Sequence, residues 1–379
     1  MISASEFINP ARDAGYDFYT GVPCSFLTPI INGVISDQRL DYVGAASEGE
    51  AVAIAVGTWL TGRKTVVMCQ NSGLGNAVNP LTSLNHPFRI PTLFITTWRG
   101  QPGLGDEPQH QVMGDITERL LETMAIPYDP FPYDSSLVVP ALEKAEAAMT
   151  ETSLPFAFII KKGDVRNNGL TQTPLPLKPP GKYTDLRDKV ERPSRKQVLE
   201  RFLALVPEKA GIITTTGKCT RELFTLDDRE QHFYQVGSMG CAASMGLGVA
   251  LHTERPVAVL DGDGAALMQM GTFATIGAYA PPGLVHVILD NGVHDSTGGQ
   301  ATVSAHMDFA QVALACGYAA AVSCDSLEGF ERALKSAFHG GGPRLIHMRI
   351  APGSMKPLGR PTVTPYDVAR RFRDFLSED

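Results

Sequence analysis

An aspartate between two glycines, Gly262-Asp263-Gly264, follows the apolar run Val257–Leu260, and an asparagine, Asn291, follows a second run, Val285–Asp290. Oxygen-bearing side chains at two neighbouring strand ends suit a hard cation such as Mg2+, which in turn holds phosphate oxygens. Glycines at 262 and 264 let backbone approach a diphosphate closely. The stretch between the runs has room for one helix, the connection that parallel strands require. Gly-Asp-Gly alone is also the text of an ordinary turn after a buried strand; the asparagine downstream is what marks the pair.

Four other segments carry chemistry-bearing residues. In Ala45-Ala46-Ser47-Glu48-Gly49-Glu50-Ala51, a carboxylate opens a helix of small residues. An acid at a helix start also serves the dipole, so position alone does not assign Glu48 a role. Gly237-Ser238-Met239-Gly240 precedes another small-residue helix, where a methionine is equally at home in a core. Tyr19–Phe26 contains Ser25 just after Pro23 and Cys24, and Gln70-Asn71-Ser72-Gly73-Leu74-Gly75-Asn76 is glycine-rich. The latter lacks the third glycine and the following acid of a dinucleotide fingerprint. Gly211 to Gly217-Lys218-Cys219 is not a P-loop: the spacing is one residue too long and Cys replaces Ser/Thr.

Taken together these segments resemble the thiamine-diphosphate-dependent decarboxylases, over nearly the whole chain. The family spacing of Gly-Asp-Gly to Asn is kept, with Asp290-Asn291 where the family usually has Asn-Asn. The resemblance implies thiamine diphosphate and Mg2+ as cofactors, with Asp263, Asn291 and the Val293 carbonyl as metal ligands. It implies that Thr216, Gly217, Gly262, Gly264 and Ala265 line the diphosphate. Met239 would be the apolar wedge that bends the cofactor, and Gly237 would accept from its amino group. Glu, Ala at +3 and +7 and Gly at +9 select Glu48, not Glu50, as the carboxyl hydrogen-bonded to N1′ of the aminopyrimidine; Ser72 and Gly73 pack nearby.

The family's middle domain is absent, and the short layout is similar to the branch acting on phosphonopyruvate and sulfopyruvate. The implied reaction is decarboxylation of 3-phosphonopyruvate to phosphonoacetaldehyde in phosphonate biosynthesis, with sulfopyruvate or a carboligation as alternatives. Arginine and lysine suit phosphonate oxygens. Arg99 is the first candidate, followed by Lys218 and Arg221; Ser25, His294 and Ser296 are further substrate-side candidates. His110, in a Gly/Pro-rich loop, is the candidate proton donor. The family architecture implies a homodimer or dimer of dimers with inter-chain active sites, since neither half alone supplies both the glutamate and the metal ligands. A non-catalytic α/β binding protein is the rival of another class; the joint presence of Glu48, Asp263 and Asn291 argues against it.

The elements that position these residues alternate along the chain. Strands are predicted at Thr65–Cys69, Thr92–Thr96, Phe156–Ile160, Gly211–Thr215, Val257–Leu260, Val285–Asp290 and Leu345–Ile350. Helices are predicted at Glu48–Leu60, Leu74–Leu84, Ile116–Met124, Ser136–Thr150, Met239–Leu251, Leu267–Ala280, Phe309–Cys316, Leu327–Ala337 and Pro365–Leu376. Capping patterns stand at Ser3/Glu6 and Ser194/Gln197. The alternation implies an α/β fold of two parallel-sheet domains flanked by helices. A pyrimidine-binding half (1–180) and a diphosphate-binding half (195–379) flank a segment with prolines at 174, 176, 179, 180 and 193, which reads as an extended linker.

With 379 residues, 43% hydrophobic and 19% charged, the chain has material for two globular domains. A net charge of −7 without a dense Lys/Arg run argues against nucleic acid. No apolar run approaches the roughly 20 residues needed to span a bilayer. Six cysteines without a C-x-x-C pair, and no signal-peptide pattern, point to reduced thiols and the cytoplasm.

Overall fold

A computed structural model describes residues 1–378. The chain forms two compact units, Met1–Pro174 and Leu175 onward. The first holds strands β1 (Tyr16–Gly21), β2 (Asp41–Gly44), β3 (Lys64–Cys69), β4 (Leu93–Thr97), β5 (Tyr128–Pro130) and β6 (Phe156–Ile160). They pair in the order β2-β1-β3-β4-β6-β5, every neighbour parallel. The central strands are continuous apolar runs, as expected where helices cover both faces. β4 and β6 are buried along their whole length. Phe7, Phe131 and Phe158 pack together beneath the helix Ala4–Asp13, with ring centroids 4.7 to 6.5 Å apart.

The second unit holds β7 (Lys182–Leu186), β8 (Gly211–Thr214), β9 (His232–Tyr234), β10 (Val257–Gly262), β11 (Leu284–Asp290), the short pair β12 (Val293–His294) and β13 (Gln300–Ala301), β14 (Ala320–Cys324) and β15 (Arg344–Arg349). The main sheet runs β7-β14-β15-β11-β10-β8-β9 and is also parallel. Each unit is therefore an α/β domain with a parallel sheet between helices.

Register decides where the site residues stand. In the first unit Gly21 pairs with both Gly44 and Met68, Cys69 with Thr96, and Thr97 with Ile160. Five strands thus finish at one carboxyl edge, the edge at which open α/β sheets bind ligands. In the second unit Gly262 pairs with Leu289 and Leu260 with Thr214, so β8, β10 and β11 also end together.

Four expectations are corrected. The 163–193 segment is not all linker: Lys182–Leu186 pairs with β14 as an edge strand, too polar and exposed to announce itself as an apolar run. The helix expected at Met239–Leu251 starts at Ala242, because Ser238 (φ 54°) and Gly240 (φ 95°) hold a turn ahead of it. The helix expected at Leu267–Ala280 is two, Asp263–Met268 and Gly271–Tyr279. The helix expected at Leu74–Leu84 becomes a π-turn over Leu81–Asn85 after Pro80. Among the described residues no helix is long and apolar enough to cross a membrane.

Candidate active site

In the first unit, the loops leaving the carboxyl edge carry the candidates. Glu48 is the first residue of the helix Glu48–Leu60, whose residues from Gly49 onward are all buried. Ser47 caps that helix by accepting from the Glu50 amide at 3.2 Å, and Glu50 turns inward to accept from the Ala46 amide. The Ser-x-x-Glu spacing of 47–50 is a capping signature. It assigns Glu50 to structure and leaves Glu48, half-buried, at the rim. Glu48 Oε2 accepts from Asn76 Nδ2 at 2.8 Å. Its carboxylate lies flat over Gly73: a Cβ there would fall 2.4 Å from Glu48 Oε1.

Gln70 joins the β3 loop to the β1 loop. Its amide donates to Ser72 Oγ at 2.6 Å and its oxygen accepts from the Cys24 thiol at 3.2 Å. Arg99, at the end of β4, donates from Nη1 to Ser25 Oγ at 3.2 Å and lies over the Phe26 ring. Its other edge forks onto Asp106, with Nε to Oδ2 at 2.7 Å and Nη2 to Oδ1 at 2.5 Å. Arg99 and its hydrogen bonds hold the Asp106 carboxyl below the usual carboxylate range, although partial burial opposes this. Buried Asn71 braces the same loops, donating to the Arg99 carbonyl and to Thr117 Oγ1. His110 is buried at the start of the helix Gln111–Thr123 and does not line the Arg99 cavity.

The second unit holds a cavity of about 770 Å³, open mouth included, lined by Thr216, Gly217, Lys218, Met239, Asp261 to Ala265, Asn291, Val293 and His294. Asp263 is 2% exposed. Burial pushes its carboxyl above the ordinary value, against a hydrogen bond from Thr302. Gly264 makes room for the imidazole of His294, which would be 2.7 Å from a Cβ at that position. Open space stands over Gly262. Gly217 takes a left-handed φ of 95° at the start of the helix Lys218–Leu226, and Thr216 Oγ1 donates to the Val236 carbonyl at 3.0 Å.

A buried ion network orients Asn291. Its Nδ2 donates to Asp295 Oδ2 at 2.7 Å, and Arg195 Nη2 donates to that same oxygen at 2.7 Å. Arg195 also pairs with fully buried Glu222 at 3.0 Å. A carboxylate only accepts, so Asp295 must take the NH2 side of the amide. That leaves Asn291 Oδ1, the metal-ligating atom type, for the cavity and the Val293 amide. One residue back, burial pushes the Asp290 carboxyl up, but hydrogen bonds from His347 at 2.9 Å and Ser304 at 2.8 Å outweigh it and hold the group low. Asp290 anchors the turn through these bonds, which accounts for an aspartate where the family usually has asparagine.

The residues fit a diphosphate held through a divalent cation. A buried carboxylate, a pinned amide oxygen and a chain carbonyl at Val293 are hard oxygen donors, and Gly262 leaves the space beside it open. Among the described residues there is no cluster of three or more His, Cys, Asp or Glu side chains that could hold a metal without such help. Sequence reasoning gathers Asp263, Asn291, Val293, Met239, Thr216, Gly217, Lys218 and His294, which line one cavity, and Ser25 with Arg99, which line another. It misses Arg195, Glu222 and Asp295, whose buried charges only the fold brings together.

Family models agree with this division. Residues 5–119 match the N-terminal TPP binding domain of thiamine pyrophosphate enzymes, and residues 215–348 match the C-terminal TPP binding domain. The chain belongs to the thiamine pyrophosphate enzyme family. It is 50% identical over 380 residues to a phosphonopyruvate decarboxylase of Streptomyces viridochromogenes, covering 100% of this chain and 96% of that one. A sulfopyruvate decarboxylase of Methanosarcina acetivorans is 30% identical, over 96% of this chain and 95% of its own. Among solved structures, a putative thiamin diphosphate-dependent enzyme from Mycobacterium smegmatis shares the fold at TM-score 0.73 and 14% identity, over 93% of this chain and 100% of its own. The benzoylformate decarboxylase of Polynucleobacter necessarius does so at 0.72 and 13%, over 94% and 100%.

Proposed function

We propose that this chain decarboxylates 3-phosphonopyruvate to phosphonoacetaldehyde and CO2, using thiamine diphosphate and Mg2+. The observation that carries the reading is likeness at 50% identity, end to end, to a phosphonopyruvate decarboxylase, against 30% for a sulfopyruvate decarboxylase. When bound, thiamine diphosphate supplies the electron sink that makes loss of CO2 feasible.

The chain's own residues take the remaining roles. Glu48 would hydrogen-bond the aminopyrimidine N1′, and Ser72 and Gly73 would flank that ring. Asp263, the Asn291 amide oxygen and the Val293 carbonyl hold the cation. Thr216, Gly217, Gly262, Gly264 and Ala265 surround the diphosphate, Met239 is the wedge, and the Gly237 carbonyl accepts from the cofactor's amino group. Ser25 and Arg99 face the substrate from the first unit, and Lys218 and His294 from the second. His110, buried outside the Arg99 cavity, would act as proton donor to the product carbon only by turning its ring toward the substrate. The two units of one site come from different protomers, so the active form is a homodimer or a larger assembly of dimers. A reducing, cytoplasmic setting suits the buried free thiols of Cys24, Cys69, Cys219 and Cys324.

Incubation of the purified protein with phosphonopyruvate, with and without thiamine diphosphate and Mg2+, tests this. Cofactor-dependent release of CO2 and phosphonoacetaldehyde in equal amounts is expected. Absence of turnover with both cofactors present, or faster turnover of sulfopyruvate, contradicts it.

A further inference from the structure

The loop after β6 brings a second cation to the Arg99 cavity. Ser25, Phe26, Arg99, Asp106, Lys162 and Asn167 line one concavity of the first unit. Lys162 follows β6, next to β4 in the sheet, so a separation of 63 positions closes into one pocket wall. Asp106 is the sole carboxylate lining that cavity, and both its oxygens are taken by the Arg99 fork. Lys162 has no carboxylate partner among the described residues.

The charges therefore divide into two parts. Arg99 and Asp106 form a fixed, nearly neutral pair that aims Nη1 at Ser25. Lys162 is the surplus positive charge. We infer that Lys162, with Arg99 Nη1 and Ser25 Oγ, forms the subsite for the substrate's phosphonate group and that Lys162 sets the preference for phosphonate over sulfonate. The inference rests on the proposed activity and names the part of the site that reads the substrate's far end.

The physical reason is charge. A phosphonate approaches two negative charges near neutral pH, as a phosphate ester does; a sulfonate carries one. Attraction to a free cation scales with ligand charge, whereas a neutral Arg–Asp pair offers directed hydrogen bonds and little net field. Removing Lys162 should therefore weaken the phosphonate substrate more than the sulfonate one.

The holoenzyme, loaded with thiamine diphosphate and Mg2+, provides the test. For Lys162→Met we expect KM for phosphonopyruvate to rise about tenfold or more, kcat to fall much less, and KM for sulfopyruvate to rise by less than about threefold. Lys162→Arg should restore most of the loss. Lys161→Met is the control for general surface charge, since Lys161 lies over the Trp98 ring and outside this cavity. An unchanged KM for phosphonopyruvate in Lys162→Met, an equal loss for both substrates, or an equal loss in Lys161→Met would overturn the assignment while leaving the decarboxylase reading intact. Failure of the unsubstituted holoenzyme to turn over phosphonopyruvate would overturn both.

Discussion

Asn291 shows how much of this site is settled by the side chains that hold a donor group in place. An amide can present oxygen or nitrogen, and a cation accepts only the oxygen. Asp295 removes the choice because a carboxylate has nothing to donate, and Arg195 Nη2 holds that same oxygen in place at 2.7 Å. Asp295→Asn keeps the shape and removes that constraint. We expect it to weaken Mg2+ affinity in the presence of thiamine diphosphate by about 10- to 100-fold, measured by titration calorimetry. An unchanged affinity would mean that Asn291 orients itself. Glu48 and Glu50 make the complementary point: two acids two residues apart differ because one closes a cap and the other does not.

At the scale of elements, the close approach of the β3 loop to the helix Glu48–Leu60 fixes where the Glu48 carboxylate lies. Gly73→Ala would place a methyl group 2.4 Å from Glu48 Oε1, the far end of a flexible side chain. The side chain should yield before the fold does. The expected outcome is a fall in kcat of about 10-fold or more, with melting temperature within about 3 °C of the parent; kinetics beside a thermal melt check both.

Elements with a strong local signal were legible in the sequence. Glu48–Leu60, Leu327–Ala337 and Phe156–Ile160 appear with the predicted bounds, because an unbroken apolar run or a capped periodic one leaves little choice. The strands Tyr16–Gly21, Asp41–Gly44, His232–Tyr234 and Ala320–Cys324 escaped. They are short or interrupted by polar residues, and the sheet supplies their stability through neighbours distant in sequence. The site divides the same way. Gly262-Asp263-Gly264 and Asn291 carry their signal in local spacing, whereas Arg195 with Asp295, or Arg99 with Lys162, meet only through crossover topology.

For the whole molecule, buried Asp263 in its proposed role as metal ligand would couple the cofactor to stability. Its folded-state carboxyl is raised above its unfolded value, mainly by burial. A raised carboxyl contributes stability while protonated, and that contribution is lost as pH rises through the folded value. A cation binds only the ionised form, so its binding releases a proton and strengthens with pH. Thiamine diphosphate with Mg2+ should therefore raise the melting temperature more at about pH 8 than at about pH 5.5, by several degrees when cofactor exceeds its dissociation constant about 100-fold. A larger shift at the acidic pH would contradict this.

The central claim is that Glu48 of one protomer and Asp263 with Asn291 of its partner serve one cofactor. Co-expressing Glu48→Gln with Asp263→Asn and measuring CO2 release from phosphonopyruvate addresses it directly. Each variant alone should be inactive. Mixed dimers have one site with both changes and one with neither, so random pairing should restore about a quarter of the parent activity. Two inactive parents whose co-expressed mixture also stays inactive, in samples shown to contain mixed dimers, would contradict the account.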